Sequence, residues 1–168
     1  MTAAASSQSS RDQPQCPGLP QLLRQVAQRV RDAGVFGEVT VTLTTLDCAA
    51  KASAAPAAFR LRFEDDRLWV ALVTADRWLS QSIEADLVHT GDKLEDLLGE
   101  ELTDLGHAAR SLPFEHFRSE DKLFTFRSIV PITGPDLADP SAAIVAGTSL
   151  LAYEACFRNL GDMDSPEE

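Results

Sequence analysis

Three histidines, three cysteines and a concentrated set of carboxylates are the side chains in this 168-residue chain that could do chemistry. His89 stands between Asp86 and Asp92, and His116 follows Glu115. These are metal-ligand types, and a metal-bound water could hydrolyse an ester or amide. The spacing argues against that use. HExxH is absent, so there is no pair of histidines one helical turn apart. On a strand, Glu115 and His116 point to opposite faces and cannot share one ion. Glu84, Asp86, Asp92 and Asp96 lack the alternation and the glycine of a calcium loop; they read as a solvated acidic face. Ser80 and Ser82 lie near His89 in sequence, but neither sits in a GxSxG elbow or an SxxK motif. No glycine-rich phosphate loop is present. No catalytic residue, metal or cofactor is therefore expected.

Cys16, Cys48 and Cys156 are odd in number and far apart, with no CxxC spacing. That pattern fits free thiols in a reducing compartment rather than a zinc site or a disulfide framework. Residues 1–18 contain no apolar h-region of the secretory type. The longest apolar run, Leu68 to Val73, is six residues, far below the ~20 of a membrane span. A cytoplasmic location is expected.

The formal net charge is −11, with 15 bases against 26 acids. A sequence-independent nucleic-acid binder needs the opposite sign, and an anionic membrane would repel this chain. The charge is localised. Residues 84–105 hold eight carboxylates against Lys93 alone, and the last seven residues hold four more. The remainder is neutral overall.

The elements that must position these residues can be read from periodicity. Leu22, Leu23, Val26 and Val30 predict a helix from Pro20 to Ala33, stopped by Gly34. Val39, Val41 and Leu43 alternate with threonine and predict one strand over residues 38–44, then a loop over 47–57. Phe59, Leu61 and Phe63 alternate with arginine, turn at 64–67, and return as Leu68 to Val73, a hairpin whose second strand should be central. Residues 76–90 are ambiguous, and the alternation of Ile83, Ala85 and Leu87 favours irregular or short strand structure. Asp92 to Leu105 predicts a helix with Asp92 as N-cap. Phe114–Arg118 and Lys122–Val130 predict a second hairpin, ended by Pro131. Asp139-Pro140 opens a last helix that runs to about Leu160. The expectation is an α+β fold, order α-β-β-β-α-β-β-α, with an antiparallel sheet of about five strands. It is one domain over 19–161, between a tail at 1–18 and an acidic tail at 162–168.

The stretches PQLLRQVAQRV, AFRLRFEDDRLWVALV, FEHFRSEDKLFTFRSIVPI and DPSAAIVAGTSLLAYEACFRNL, in this order and size, resemble class I type III secretion chaperones and their YbjN-like bacterial relatives. The resemblance implies a small, acidic, non-enzymatic bacterial protein that dimerises and binds an extended segment of a partner. It carries no catalytic residue.

Aromatic residues supply the candidate contacts. The 114–130 hairpin places phenylalanines on both faces, with Phe124 and Phe126 one way and Leu123 and Ile129 the other. Where helices cover one face only, the other presents an apolar patch. The partner-binding candidates are Phe114, Phe117, Phe124 and Phe126 on the hairpin, with Leu94, Leu98 and Glu101 on the acidic helix. The leading reading is a chaperone-like protein-binding or regulatory module that homodimerises. The rivals are a small hydrolytic enzyme built on His89 and His116, and a small-ligand sensor.

Overall fold

The computed structural model describes residues 18–51, 53, 55–65, 67–90, 96, 98–100, 103, 114–120, 122–133, 137, 139–158 and 160. The chain opens with helix α1 (Leu19–Ala33), followed by strands β1 (Val39–Val41), β2 (Thr45–Ala49), β3 (Ala57–Glu64) and β4 (Arg67–Thr74). Helix α2 (Arg77–Thr90) comes next. Residues 96, 98–100 and 103 are helical and belong to α3. Strands β5 (Phe114–Arg118) and β6 (Phe124–Thr133) precede the closing helix α4 (Pro140–Phe157). All the strands form one antiparallel sheet in the order β1-β2-β3-β4-β6-β5. This is an α+β fold with six strands, one more than the periodicity predicts.

The extra strand comes from a threonine turn. The single strand expected over 38–44 breaks after Val41, where the Thr42 hydroxyl accepts the backbone N–H groups of Thr44 and Thr45. The Thr42 amide in turn donates to the Thr45 carbonyl at 2.8 Å. A hydroxyl that satisfies the backbone locally competes with strand continuation. The chain reverses, and residues 45–49 pair back along β1 as β2. The loop expected to start at 47 therefore starts after Ala49.

Residues 76–90 are also corrected, since they form a helix. Asp76 is its cap: the carboxylate accepts the Leu79 N–H at 2.8 Å, satisfying one donor of the open first turn. Leu79 and Ile83, one turn apart, are buried. The alternation of Ile83, Ala85 and Leu87 is incidental, because Ala85 is exposed. Strand β6 also runs past Pro131. Its ladder with β4 shifts register between Arg67 and Trp69, and Pro131 falls in that interval, beyond the last β5 partner at Ser128. A missing donor costs nothing there. Of the predicted helix 92–105, residues 96, 98–100 and 103 are helical; the remainder, with Asp92, lies outside the described residues.

Three expected boundaries are present. Gly34 caps α1 at φ 72°, its N–H on the Val30 carbonyl. β4 lies between β3 and β6, inside the sheet. Asp139 caps α4, with Pro140 at the first helical position. The Ser141 N–H, and then the Ser141 hydroxyl, hold the Asp139 carboxyl below the usual carboxylate range. Such a group stabilises the fold while ionised. Its contribution is present above the unfolded-state value near ~4 and fades as pH falls through the folded one. Asparagine keeps the cap acceptor but does not titrate. Asp139→Asn is expected to leave the urea midpoint at neutral pH nearly unchanged and to flatten part of its decline below about pH 5. An acid limb identical to the parent's would refute this.

The core lies on one side of the sheet. Helices α1 and α4 pack on each other and on the strands. Leu46, Cys48, Phe59, Leu61, Leu68, Val70, Leu72, Phe126 and Val130 meet the helices there in one cluster. The buried Tyr153 hydroxyl of α4 bonds to the Ser128 hydroxyl of β6 at 2.5 Å, which fixes the helix on the sheet. Among the buried apolar residues described, only Ala71 and Val73 stand outside this cluster. They point the other way.

Candidate functional site: the uncovered sheet face

Strand alternation sends every second side chain to the face opposite the helices. The register aligns these residues into rows. One row crosses all six strands: Thr40, Asp47, Arg60, Ala71, Arg127 and Glu115. A second holds Thr45, Arg62, Trp69 and Ile129. A third holds Ala49, Ala58, Val73, Thr125 and Phe117. Among the described residues no helix side chain joins this face; the buried apolar residues of all four helices belong to the opposite core.

Arg127 is the hub. Its guanidinium carbon lies 3.7 Å from the centroid of the Trp69 ring and 4.8 Å from that of Phe117. Its Nε donates to Glu115 at 2.9 Å and its Nη1 to Glu64 at 3.2 Å. A guanidinium stacks on aromatic faces while its edge N–H groups bind carboxylates, so both uses coexist. On the far side of Ala71, Arg60 donates to Asp47 through Nε at 2.7 Å and Nη2 at 3.3 Å. Trp69 Nε1 donates to the Glu64 carbonyl at 3.2 Å. The result is a hollow of about 440 Å³ lined by the arginines, Trp69, Ala71, Val73 and Phe117. Its floor is apolar, and its walls carry Arg60, Arg62 and Arg127 together with Glu64, Asp65 and Glu120.

The described residues among those expected to contact a partner fall on different faces. Phe117 lies on the uncovered face, half-buried against Arg127. Phe126 is 1% exposed and Leu98 is fully buried; both belong to the core rather than to a partner surface. Phe124 is half-buried beneath Arg118, whose guanidinium lies 5.5 Å from its ring centroid. Phe114 begins β5. Leu94 and Glu101 lie outside the described residues, as does the side chain of His89.

His116 faces the core side of β5 and stacks on Phe126 at 3.8 Å and 9°. Its Nδ1 donates to the Thr125 carbonyl at 3.0 Å, because a carbonyl only accepts, and its Nε2 meets the Glu84 carboxylate. With both ring nitrogens engaged, the ring joins α2 to β5. No group of three metal-ligating side chains comes together among the described residues. Cys48 is buried, and desolvation first, then the Asp47 charge, pushes its thiol up to about 12. A thiol that stays protonated is a poor nucleophile.

The uncovered face was half visible in the sequence. Arg60 and Arg62 alternate with Phe59, Leu61 and Phe63, which marks β3 as two-faced. Nothing local says that Arg60 and Arg127, 67 positions apart, flank one alanine. That follows from register alone.

No family model, curated protein or solved structure matches the chain. The fold and the face therefore define its class: an α+β protein with one antiparallel sheet, the described helices on one side and an arginine-aromatic surface on the other. No helix among the described residues is long and apolar enough to cross a membrane.

Proposed function

We propose that this protein is a non-enzymatic, chaperone-like binding module that holds an extended segment of a partner polypeptide on the uncovered sheet face. One observation carries the reading: Trp69 and Phe117 line a charged hollow on a face that no described helix packs against. Apolar anchors ringed by charge are the usual anatomy of a protein contact surface. The resemblance to secretion chaperones and YbjN-like proteins, which rests on element order and size, points the same way. The test is a photo-crosslinking amino acid placed at Phe117 in the cell, with exposed Gln28 on α1 as the control position. Polypeptide adducts from 117 that are absent from 28 are expected. The same adducts from both positions, or none from 117, would overturn the proposal.

The module is also proposed to dimerise through α2. Trp78 is 74% exposed and Val88 82% exposed. Gln81, Glu84, Ala85 and Val88 outline a shallow hollow at helical spacings of three, four and seven. That is the four-residue hole into which a knob from a facing helix packs, and Trp78 of a second copy in antiparallel orientation supplies the knob. A single helix pair buries well under the ~800 Å² per partner of a standard interface, so the dimer should dissociate on dilution. Sedimentation equilibrium is expected to show concentration-dependent dimers in the parent and monomer in Trp78→Ala. A parent that remains monomeric at all concentrations would exclude the α2 contact.

A further inference from the structure

Building on the α2 dimer proposed above, we infer that this contact is proton-dependent: it forms while the His116 ring carries a proton on both nitrogens and weakens when Nε2 loses its proton. Glu84 is the reason, because it belongs to both structures. It is one of the four residues that outline the hole on α2, and its carboxylate is the partner of His116 Nε2 on β5.

The partners fix the proton count. Nδ1 carries a proton, since it faces the Thr125 carbonyl, which only accepts. Nε2 faces a carboxylate oxygen, which when ionised also only accepts. Both nitrogens therefore donate, and the ring is an imidazolium paired with Glu84. In the neutral ring, Nδ1 keeps its proton for Thr125 and the Nε2 lone pair is set against the carboxylate. Stacking on Phe126, with the two planes 9° apart, holds the ring in that orientation.

The charged groups around the ring leave Glu84 to His116. Glu115, one residue back on the strand, points to the uncovered face. Arg118, two residues on, lies over Phe124. β6 contributes the Thr125 carbonyl and the Phe126 ring. On α4, Phe157 packs behind Phe126, and Glu154 pairs with Arg158. Along α2, Asp86 is turned about 200° from Glu84, and Arg77 stands about two turns back.

Dimerisation makes the pairing count. In the monomer the Glu84 side chain is 47% exposed and that of His116 23%, so water screens the carboxylate whether or not the ring is charged. Seating Trp78 of a second copy in the hole lays an indole on Glu84 and takes that water away. An ionised carboxylate beneath an aromatic ring is costly unless it is paired, and the imidazolium is the pairing group. Histidine is the side chain that ordinarily changes charge between about pH 5 and 8. The interface is therefore held in mildly acidic solution and loosened in mildly alkaline solution.

The experiment is sedimentation equilibrium of the full-length protein at about pH 6 and about pH 8.5, with circular dichroism confirming the fold at both. Raised salt screens the general repulsion of a chain that carries −11. The dimer dissociation constant of the parent is expected to rise roughly ten-fold at the higher pH, the loss of one hydrogen bond between charged groups. Glu84→Gln places a neutral carboxamide at the hole, which pairs with Nε2 as donor or acceptor, and should give nearly the same constant at both pH values. His116→Gln should remove the pH dependence as well. A parent that dimerises equally at both pH values, while Trp78→Ala is monomeric, would overturn the proton dependence and leave the α2 dimer standing. A pH dependence that persists unchanged in Glu84→Gln would do the same. A parent monomeric at both pH values, or a dimer indifferent to Trp78→Ala, would overturn the α2 contact and this inference with it.

Discussion

Phe126→Ala is expected to cost about 3–5 kcal/mol of folding stability, while Phe117→Ala, nine positions earlier on the paired strand, costs less than about 1 kcal/mol. The two residues sit on opposite faces of the same hairpin. Phe126 is 1% exposed. It stacks with His116 and meets the Phe157 ring at 5.4 Å, and its cross-strand neighbours are Leu72 and His116. Truncation removes the ring, leaves a cavity under α4 and exposes the His116 stack. A loss of that size is a large share of the ~5–15 kcal/mol that holds an ordinary domain together. Phe117 instead is half-buried against the guanidinium of Arg127. Urea unfolding followed by circular dichroism distinguishes the two, provided the slope with denaturant stays constant. Equal losses would mean that the Phe117 face is a second core, and the proposed binding surface would go with it.

This pair also shows what the sequence could and could not disclose. Alternation over FEHFR and FTFRSIV places phenylalanines on both faces of the hairpin, and the structure does put Phe117 and Phe126 on opposite sides. It cannot say which face the helices cover, because that depends on where α1 and α4 pack. Alternation alone therefore groups Phe126 with the contact residues, whereas it belongs to the core. The helices with strong end signals were legible: Gly34 ends α1, and Asp139-Pro140 starts α4. Helix α2 was not, because Asp76 as a cap is a single residue and the alternating Ile83, Ala85 and Leu87 imitated a strand. The β1–β2 break was hidden in a threonine run whose β propensity is high. Only the Thr42 hydroxyl, turned onto Thr44 and Thr45, reveals that the run reverses. The arginine row was the least legible feature, since it joins β2, β3, β4, β6 and β5 across a non-sequential pairing of β4 with β6.

Arg127 is where these separate stretches of sequence meet, and its replacement should be the most damaging change on the uncovered face. Arg127→Ala removes two aromatic contacts and two ion pairs together. It also leaves Glu64 and Glu115 facing the space the cation filled. An exposed ion pair contributes only about 0–1 kcal/mol, but this guanidinium is 20% exposed, and a stacked, partly desolvated cation contributes up to ~2 kcal/mol more. The expected loss is about 2–3 kcal/mol. Arg127→Lys keeps the charge but loses the planar stack and the fork of donors; about half of that loss is expected to remain. If charge alone mattered, lysine would restore the parent's stability. Tryptophan emission gives a second readout. Trp78 is exposed and responds little, so changes report Trp69, which loses its guanidinium cover in both variants. A Lys variant as stable as the parent, with unchanged emission, would show that Arg127 acts as a charge and not as a stacked plate.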